Sequence, residues 1–266
     1  MPSARYVPIC VPKHPPPERW RDLAKQAQAI RPDNVPEGLD IDAPEAFDAS
    51  SGRLTLDLRL RWPKTGVSLT VGFLDDPEAE LRRKILDRMN AWSKTANVAF
   101  TETTADVDHA DVRIARKLND GHWSWLGIDI RNHPGEPTMN LDGFTLETPD
   151  AELDRVVCHE TGHTLGFPHE HLRQELIDLL DRDRTIAYYM RTQRWTRQDV
   201  VLQLFSPLEE GSILSTERPD PRSIMCYEIP GECTKSGEPI LGGSVIDEAD
   251  FEMVSRIYPK TDLADR

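Results

Sequence analysis

The 266-residue chain holds only four cysteines, too few for a disulfide framework at this length. No apolar run approaches the ~20 residues that cross a bilayer, which excludes a membrane-spanning helix. Basic residues are in deficit: 32 Lys and Arg face 46 Asp and Glu, a formal net charge of −14. That balance excludes nucleic acid as a partner, because phosphate binding needs a basic surface. The N-terminus offers no visible signal peptide. Met1–Val7 carries a basic residue, but prolines interrupt the next dozen positions and no continuous apolar segment forms. Internal repeats and low-complexity segments are also missing. The remainder, at 38% hydrophobic and 29% charged residues, describes a soluble globular chain with enough length for one or two domains.

Against this background one stretch stands out: His159-Glu160-Thr161-Gly162-His163-Thr164-Leu165-Gly166-Phe167-Pro168-His169. His159 and His163 lie about one helical turn apart, so both rings leave one face of a helix. Neutral imidazole is a good zinc ligand, and catalytic zinc commonly takes three protein ligands. Glu160 follows the first of them and can reach a metal-activated water as general base. Gly166 can stop the helix with a positive φ, turning the chain so that His169 supplies the third ligand. The bland alternative is an amphipathic helix with solvated histidines. The glycine and third histidine argue against it, because a metal site needs them and a plain helix does not.

Around this motif the pattern is mixed. Trp20, Leu23, Ala24, Ala27 and Ile30 fall at helical spacing after a proline run, and Pro32 limits that helix. Residues 33–52 read as a linker. Leu54, Leu56, Leu58 and Leu60 alternate as in a half-buried strand. Residues 1–60 are accordingly read as an N-terminal extension, and 61–266 as the catalytic domain. Within the latter, strands are expected at Val67–Leu74, Val98–Glu102, Val112–Ala115 and Pro137–Leu141. A long helix is expected over 78–95, with Leu81, Ile85, Met89 and Trp92 on one face. The histidine helix should start after Thr148–Pro149, with Asp150 as its N-cap, and run to Leu165. Residues 185–205 look mostly helical, 206–246 irregular, and Asp247–Tyr258 forms a closing helix.

The motif resembles those of the metzincin metalloproteases, and more narrowly of the astacin family. Gly166-Phe167-Pro168-His169-Glu170 resembles the astacin continuation G-F-x-H-E, and Arg173 sits where that signature carries an arginine. Ser223-Ile224-Met225-Cys226-Tyr227 looks like the astacin Met-turn. The resemblance implies an α+β zincin-like domain: a twisted mixed sheet, a long helix and the zinc helix above a cleft, and an irregular lower subdomain with a C-terminal helix. It implies one catalytic Zn2+ on His159, His163 and His169, with Glu160 as general base. Met225 becomes an apolar floor, and Tyr227 an additional, displaceable ligand that can assist catalysis. Trp123, Ser124, Trp125, Leu126 and Gly127 match a W-S-x-x-G edge strand that would pair with an extended peptide substrate. The implied activity is a zinc endopeptidase acting on peptides or proteins. Secretion is typical of the family, although the sequence supplies no address. The competing function is a metal-bound regulatory, binding or toxin-like module with narrow or no proteolysis.

Several residues stay open. Family propeptides can place an aspartate on zinc, and Asp40, Asp42, Asp48 and Asp57 are candidates by chemistry alone. Cys10 could cap the metal only on the ground that it is a thiol. Cys226 and Cys233 could bridge a small loop or remain reduced, and Cys158 reads as a core residue. His122 and His133 are expected at the surface, and His171 is not expected to bind metal. The segment after Arg173 departs from the family pattern, which runs sooner into the equivalent of Asp181-Arg182-Asp183.

Overall fold

The computed structural model describes Cys10, Lys13 and residues 15–43, 59–207 and 219–260. Its centre is a five-stranded mixed sheet of β1 (Val67–Phe73), β2 (Val98–Glu102), β3 (Val112–Ala115), β4 (Trp123–Ser124) and β5 (Met139–Asn140), in the order β2-β1-β3-β5-β4. β1, β2, β3 and β5 run parallel, while β4 pairs antiparallel with β5 and forms one edge. β1 shows why it is a strand: Val67, Leu69, Val71 and Phe73 are buried while Ser68 and Thr70 face out. The expected strand at 137–141 shortens to two residues, Met139 and Asn140, and the Asn140 side chain ties the strand to the loop around Lys117 and Gly121.

Helices cover the sheet. α1 (Trp20–Ile30) buries Trp20, Leu23, Ala24 and Ala27. α2 (Ala79–Met89) buries Leu81, Ile85 and Met89, then tightens into a 3-10 turn over Asn90–Lys94 that carries Trp92. The long helix expected over 78–95 therefore divides. Asn90 divides it, donating to the Leu86 and Phe100 carbonyls and accepting from the Phe100 amide. α3 (Asp150–Thr164) is the histidine helix. Asp150 is its first residue rather than its N-cap, and its carboxylate pairs with Lys84 and Arg88 of α2.

The lower part carries α4 (Gln174–Ile177), α5 (Arg182–Thr192), α6 (Arg197–Leu204) and the closing α7 (Glu248–Ile257). It has its own core of Leu176, Leu180, Ile186, Tyr189, Val200, Leu204 and Ile229, separate from the larger core between sheet and helices. The histidine motif lies between the two. Leu54, Leu56 and Leu58 fall outside the described residues. Leu60 is not in a strand: its carbonyl accepts from the Ile128 amide. No helix among the described residues is long and apolar enough to cross a membrane.

Candidate metal centre and cleft

α3 is wholly buried from Val156 onward, so its polar residues must find partners inside the protein. His159 Nδ1 donates to the Ile224 carbonyl at 2.6 Å, and His163 Nδ1 donates to the Phe167 carbonyl at 2.7 Å. Each of these bonds fixes the tautomer and turns an Nε2 lone pair inward. The helix stops where expected: Gly166 has φ +91°, and a Cβ there would lie 2.9 Å from the Leu60 carbonyl oxygen. The turn delivers His169, whose Nε2 lies 3.0 Å from that of His159 and 3.1 Å from that of His163. Three ring nitrogens converge on one point.

The electrostatics suit a cation. Burial, with His163 close by, holds the His159 imidazole well below its usual range and so neutral. Glu160 is 1% exposed, and its Oε1 has no hydrogen-bond partner. Burial pushes its carboxyl up to about 8, against the hydrogen bond from Cys10 and the charge of Arg155. An orphaned carboxyl oxygen beside three convergent imidazole nitrogens fits a zinc ion and a water better than it fits a sealed core.

Cys10 joins this group. Its Sγ lies 3.3 Å from His163 Nε2 and 3.5 Å from Glu160 Oε2, and the thiol and three imidazoles place their ligand atoms within 4.8 Å of one another. All four cysteines are free and buried, so the Cys226–Cys233 bridge does not form. Cys158 packs in the core near the Arg88 carbonyl, as expected.

The Met-turn sits beneath the group. A Cβ on Gly162 would press on the Met225 side chain, so glycine lets the helix settle on that sulfur. The turn is held by Asp250 of α7, which accepts from Ser223 Oγ at 2.6 Å and from the Ile224 amide at 2.9 Å. Sequence reasoning missed Asp250, and its one signal was an acidic residue on the inward face of the closing helix. Tyr227 stacks on His171 with centroids 4.1 Å apart and lies 4.3 Å from the His169 ring. Its hydroxyl donates to the Cys10 carbonyl.

The remaining candidates separate. Trp123 and Ser124 form the edge strand β4, and Ser124 Oγ lies 3.1 Å from Thr164 Oγ1 at the end of α3. Trp125 and Leu126 are half-buried in the following turn, and Gly127 is buried under Leu60 with φ +49°. His122 and His133 are buried, not surface residues. His122 Nδ1 accepts from the Asp142 amide, and His133 stacks on Trp125 at 3.7 Å. Neither belongs to the metal group. His171 is also outside it, donating through Nε2 to the Gln203 carbonyl. Glu170 pairs with Arg173 and accepts from the Asp220 amide. A cavity of about 860 Å³ opens beside His159 and Glu160, walled by Arg155, Tyr188, Gln193 and Leu241 among others.

Comparison with known proteins agrees with this arrangement. The model for the Astacin peptidase family matches residues 55–230. Zinc metalloproteinase nas-27 of Caenorhabditis elegans is 31% identical over 106 residues, covering 40% of this chain and 21% of that protein. The chain thus matches about a fifth of that relative's length. A structure of myroilysin aligns with TM-score 0.71 and 29% identity over 76% of this chain and 97% of that one. High choriolytic enzyme 1, a hatching enzyme zinc-protease from Oryzias latipes, shares the fold at TM-score 0.50 and 16% identity, covering 80% of this chain and 94% of its own. A family match that takes in the sheet, the histidine helix and the methionine turn places the chain in the astacin family of peptidases.

Proposed function

We propose that the protein is a zinc-dependent endopeptidase with His159, His163 and His169 as the metal ligands. The observation that carries this reading is the convergence of three Nε2 atoms beside the orphaned Oε1 of Glu160. Zinc bound there would supply a Lewis acid for the scissile carbonyl and a lowered pKa for an attacking water. Glu160 then takes the proton from that water and returns it to the leaving amine. Tyr227 is buried against His169 and His171, which aims its hydroxyl at a backbone carbonyl, now that of Cys10. A substrate carbonyl in that place would gain the same donor as its oxygen becomes negative.

An extended peptide is the substrate class that fits. β4 is the outermost strand of the sheet among the described residues, and Trp123 to Gly127 run from that edge to the end of α3. Trp123, Ser124, Trp125 and Leu126 are assigned to the substrate backbone, and Gly127 shapes the turn beneath them. Membership of the family supports a secreted protein. A metal-bound module without proteolysis is disfavoured, because it would have no use for a buried glutamate with one oxygen left unpartnered. Glu160→Gln tests the choice: the variant should retain zinc and lose peptide hydrolysis by ~10²-fold or more. Full activity in a zinc-loaded variant would remove Glu160 as the base.

A further inference from the structure

We propose that His133 is a positioning residue for the substrate edge: its ring backs the Trp125 indole, and it grips harder when the imidazole is protonated. The role rests on the reading above, in which Trp125 meets the substrate. His133 lies outside the metal group and the reaction makes no use of it, yet it is buried.

Three contacts support this role, and each strengthens with positive charge on the ring. The imidazole lies over the Trp125 ring with centroids 3.7 Å apart and planes at 16°. Its Nε2 is 3.7 Å from Asp129 Oδ2, and its Nδ1 is 3.8 Å from Glu136 Oε2. Both distances exceed a hydrogen bond. The two atoms of the first pair, each buried, have no hydrogen-bond partner. A neutral ring therefore leaves two polar atoms orphaned side by side, a state that folded proteins rarely keep. An imidazolium presents N–H to a carboxylate at both edges and a charged face to the indole. A shift of about 1 Å then completes the set.

The surroundings hold these groups in place. Asp129 Oδ1 accepts from Asn132 Nδ2, which also reaches Gln26 Oε1 of α1. Arg113 of β3 is the opposing charge, and its guanidinium takes the carbonyls of Ile130, His133 and Glu136. Arg19, ahead of α1, takes the Asn132 carbonyl. Both arginines thus spend these donors on backbone, while the two carboxylates flank the ring. The Trp125 amide donates to the Thr138 carbonyl, so this half-buried residue continues the pairing of β4 with the sheet. With one indole face on His133, the stance of the ring at the edge follows the imidazole. α1 stiffens the support, since Leu23, Ala24 and Ala27 belong to the main core. The same end of the chain carries the four candidate aspartates. Asp40 is exposed, Asp42 pairs at the surface with Lys25, and neither joins the metal group; Asp48 and Asp57 fall outside the described residues.

The test uses the full zinc-loaded chain and an uncharged extended peptide, with kcat and KM measured from about pH 8 to about pH 6. The readout is KM of His133→Phe divided by KM of the wild type, which cancels every titration the two share. Phenylalanine keeps a flat ring on Trp125 and cannot be charged. The ratio should rise ~3-fold as the pH falls, the size of a partly exposed cation–π contact, with kcat unchanged within ~2-fold. Asp129→Asn should move KM in the same direction. Trp125→Ala should raise KM at every pH, and His133→Phe added to it should change KM no further. A readout without activity is indole emission, taken as the difference between wild type and Trp125→Phe. It should fall with pH, since an imidazolium quenches an indole on which it stacks, and stay level when His133 is Phe. A flat KM ratio while Trp125→Ala still raises KM, or level emission in the wild type, would overturn the positioning role and leave the substrate edge standing. An unchanged KM in Trp125→Ala would remove Trp125 from that edge, and the role of His133 with it.

Discussion

Gly162→Ala is a sharp test of how the histidine helix is seated. On helix propensity alone the change should stabilise the protein by ~1 kcal/mol, since alanine is the better helix former. Packing opposes this. The new methyl would stand 3.1 Å from Met225 Cε and 3.4 Å from Trp92 Cζ2, and closer still to Met225 Sδ, where ordinary contact is ~3.5–4.0 Å. Met225 is 2% exposed and its turn is clamped by Asp250, so the thioether has little room to retreat. Overpacking of this kind costs ~1–3 kcal/mol. The packing term is the larger, leaving a net loss of up to ~2 kcal/mol, which for a chain of this size lowers the midpoint of thermal unfolding by up to ~8 °C. Met225→Ala alone should cost ~2–4 kcal/mol through the cavity it opens. The double variant should be milder than the sum by at least ~1 kcal/mol, because the methyl added at position 162 then enters that space. A Gly162→Ala protein that melts higher than wild type, or strict additivity in the cycle, would refute this seating of helix on sulfur.

Asp250→Ala removes an acceptor from Ser223 and from the Ile224 amide, and should destabilise by ~2–4 kcal/mol in urea titration while weakening metal retention. Burial raises the Asp250 carboxyl to about 6. The folded state therefore holds this proton more tightly than the unfolded chain, so the group's contribution favours folding at low pH and is lost as pH rises from ~4 to ~6. That amounts to on the order of 3 kcal/mol. Asp250→Asn should flatten this part of the stability–pH curve, and an unchanged slope would assign it elsewhere. Trp62→Phe withdraws the indole donor from the Thr164 carbonyl and should cost ~1–2 kcal/mol by denaturant midpoint.

The convergence of the three histidines was legible because its geometry is local. One helical turn separates His159 from His163, and a single glycine at +91° delivers His169. The longer strands were legible for the same reason, since β1 alternates burial residue by residue. The features that escaped are non-local. Cys10 reaches Glu160 across 150 positions, and no periodicity reports such a pairing. Asp250 looks like an ordinary helix-start acid until Ser223 and Ile224 come to meet it. His122 and His133 read as surface residues because histidine is polar, yet the β4–β5 ribbon and the Trp125 ring enclose them. α1 showed its apolar face in sequence, but not that the face belongs to the main core.

The end of the histidine helix is finished by residues from opposite parts of the chain. Trp62 caps the Thr164 carbonyl, while the Tyr258 hydroxyl donates to the Leu165 carbonyl and accepts from the Trp62 amide. Those closures span 93 to 196 positions, so the end of the helix is held by contacts far apart in sequence. During synthesis every histidine ligand emerges well before Tyr258. The carbonyl end of the histidine helix therefore gains its last donor only once Tyr258 has been made, so a chain truncated before that residue would leave the Leu165 carbonyl without its tyrosine donor.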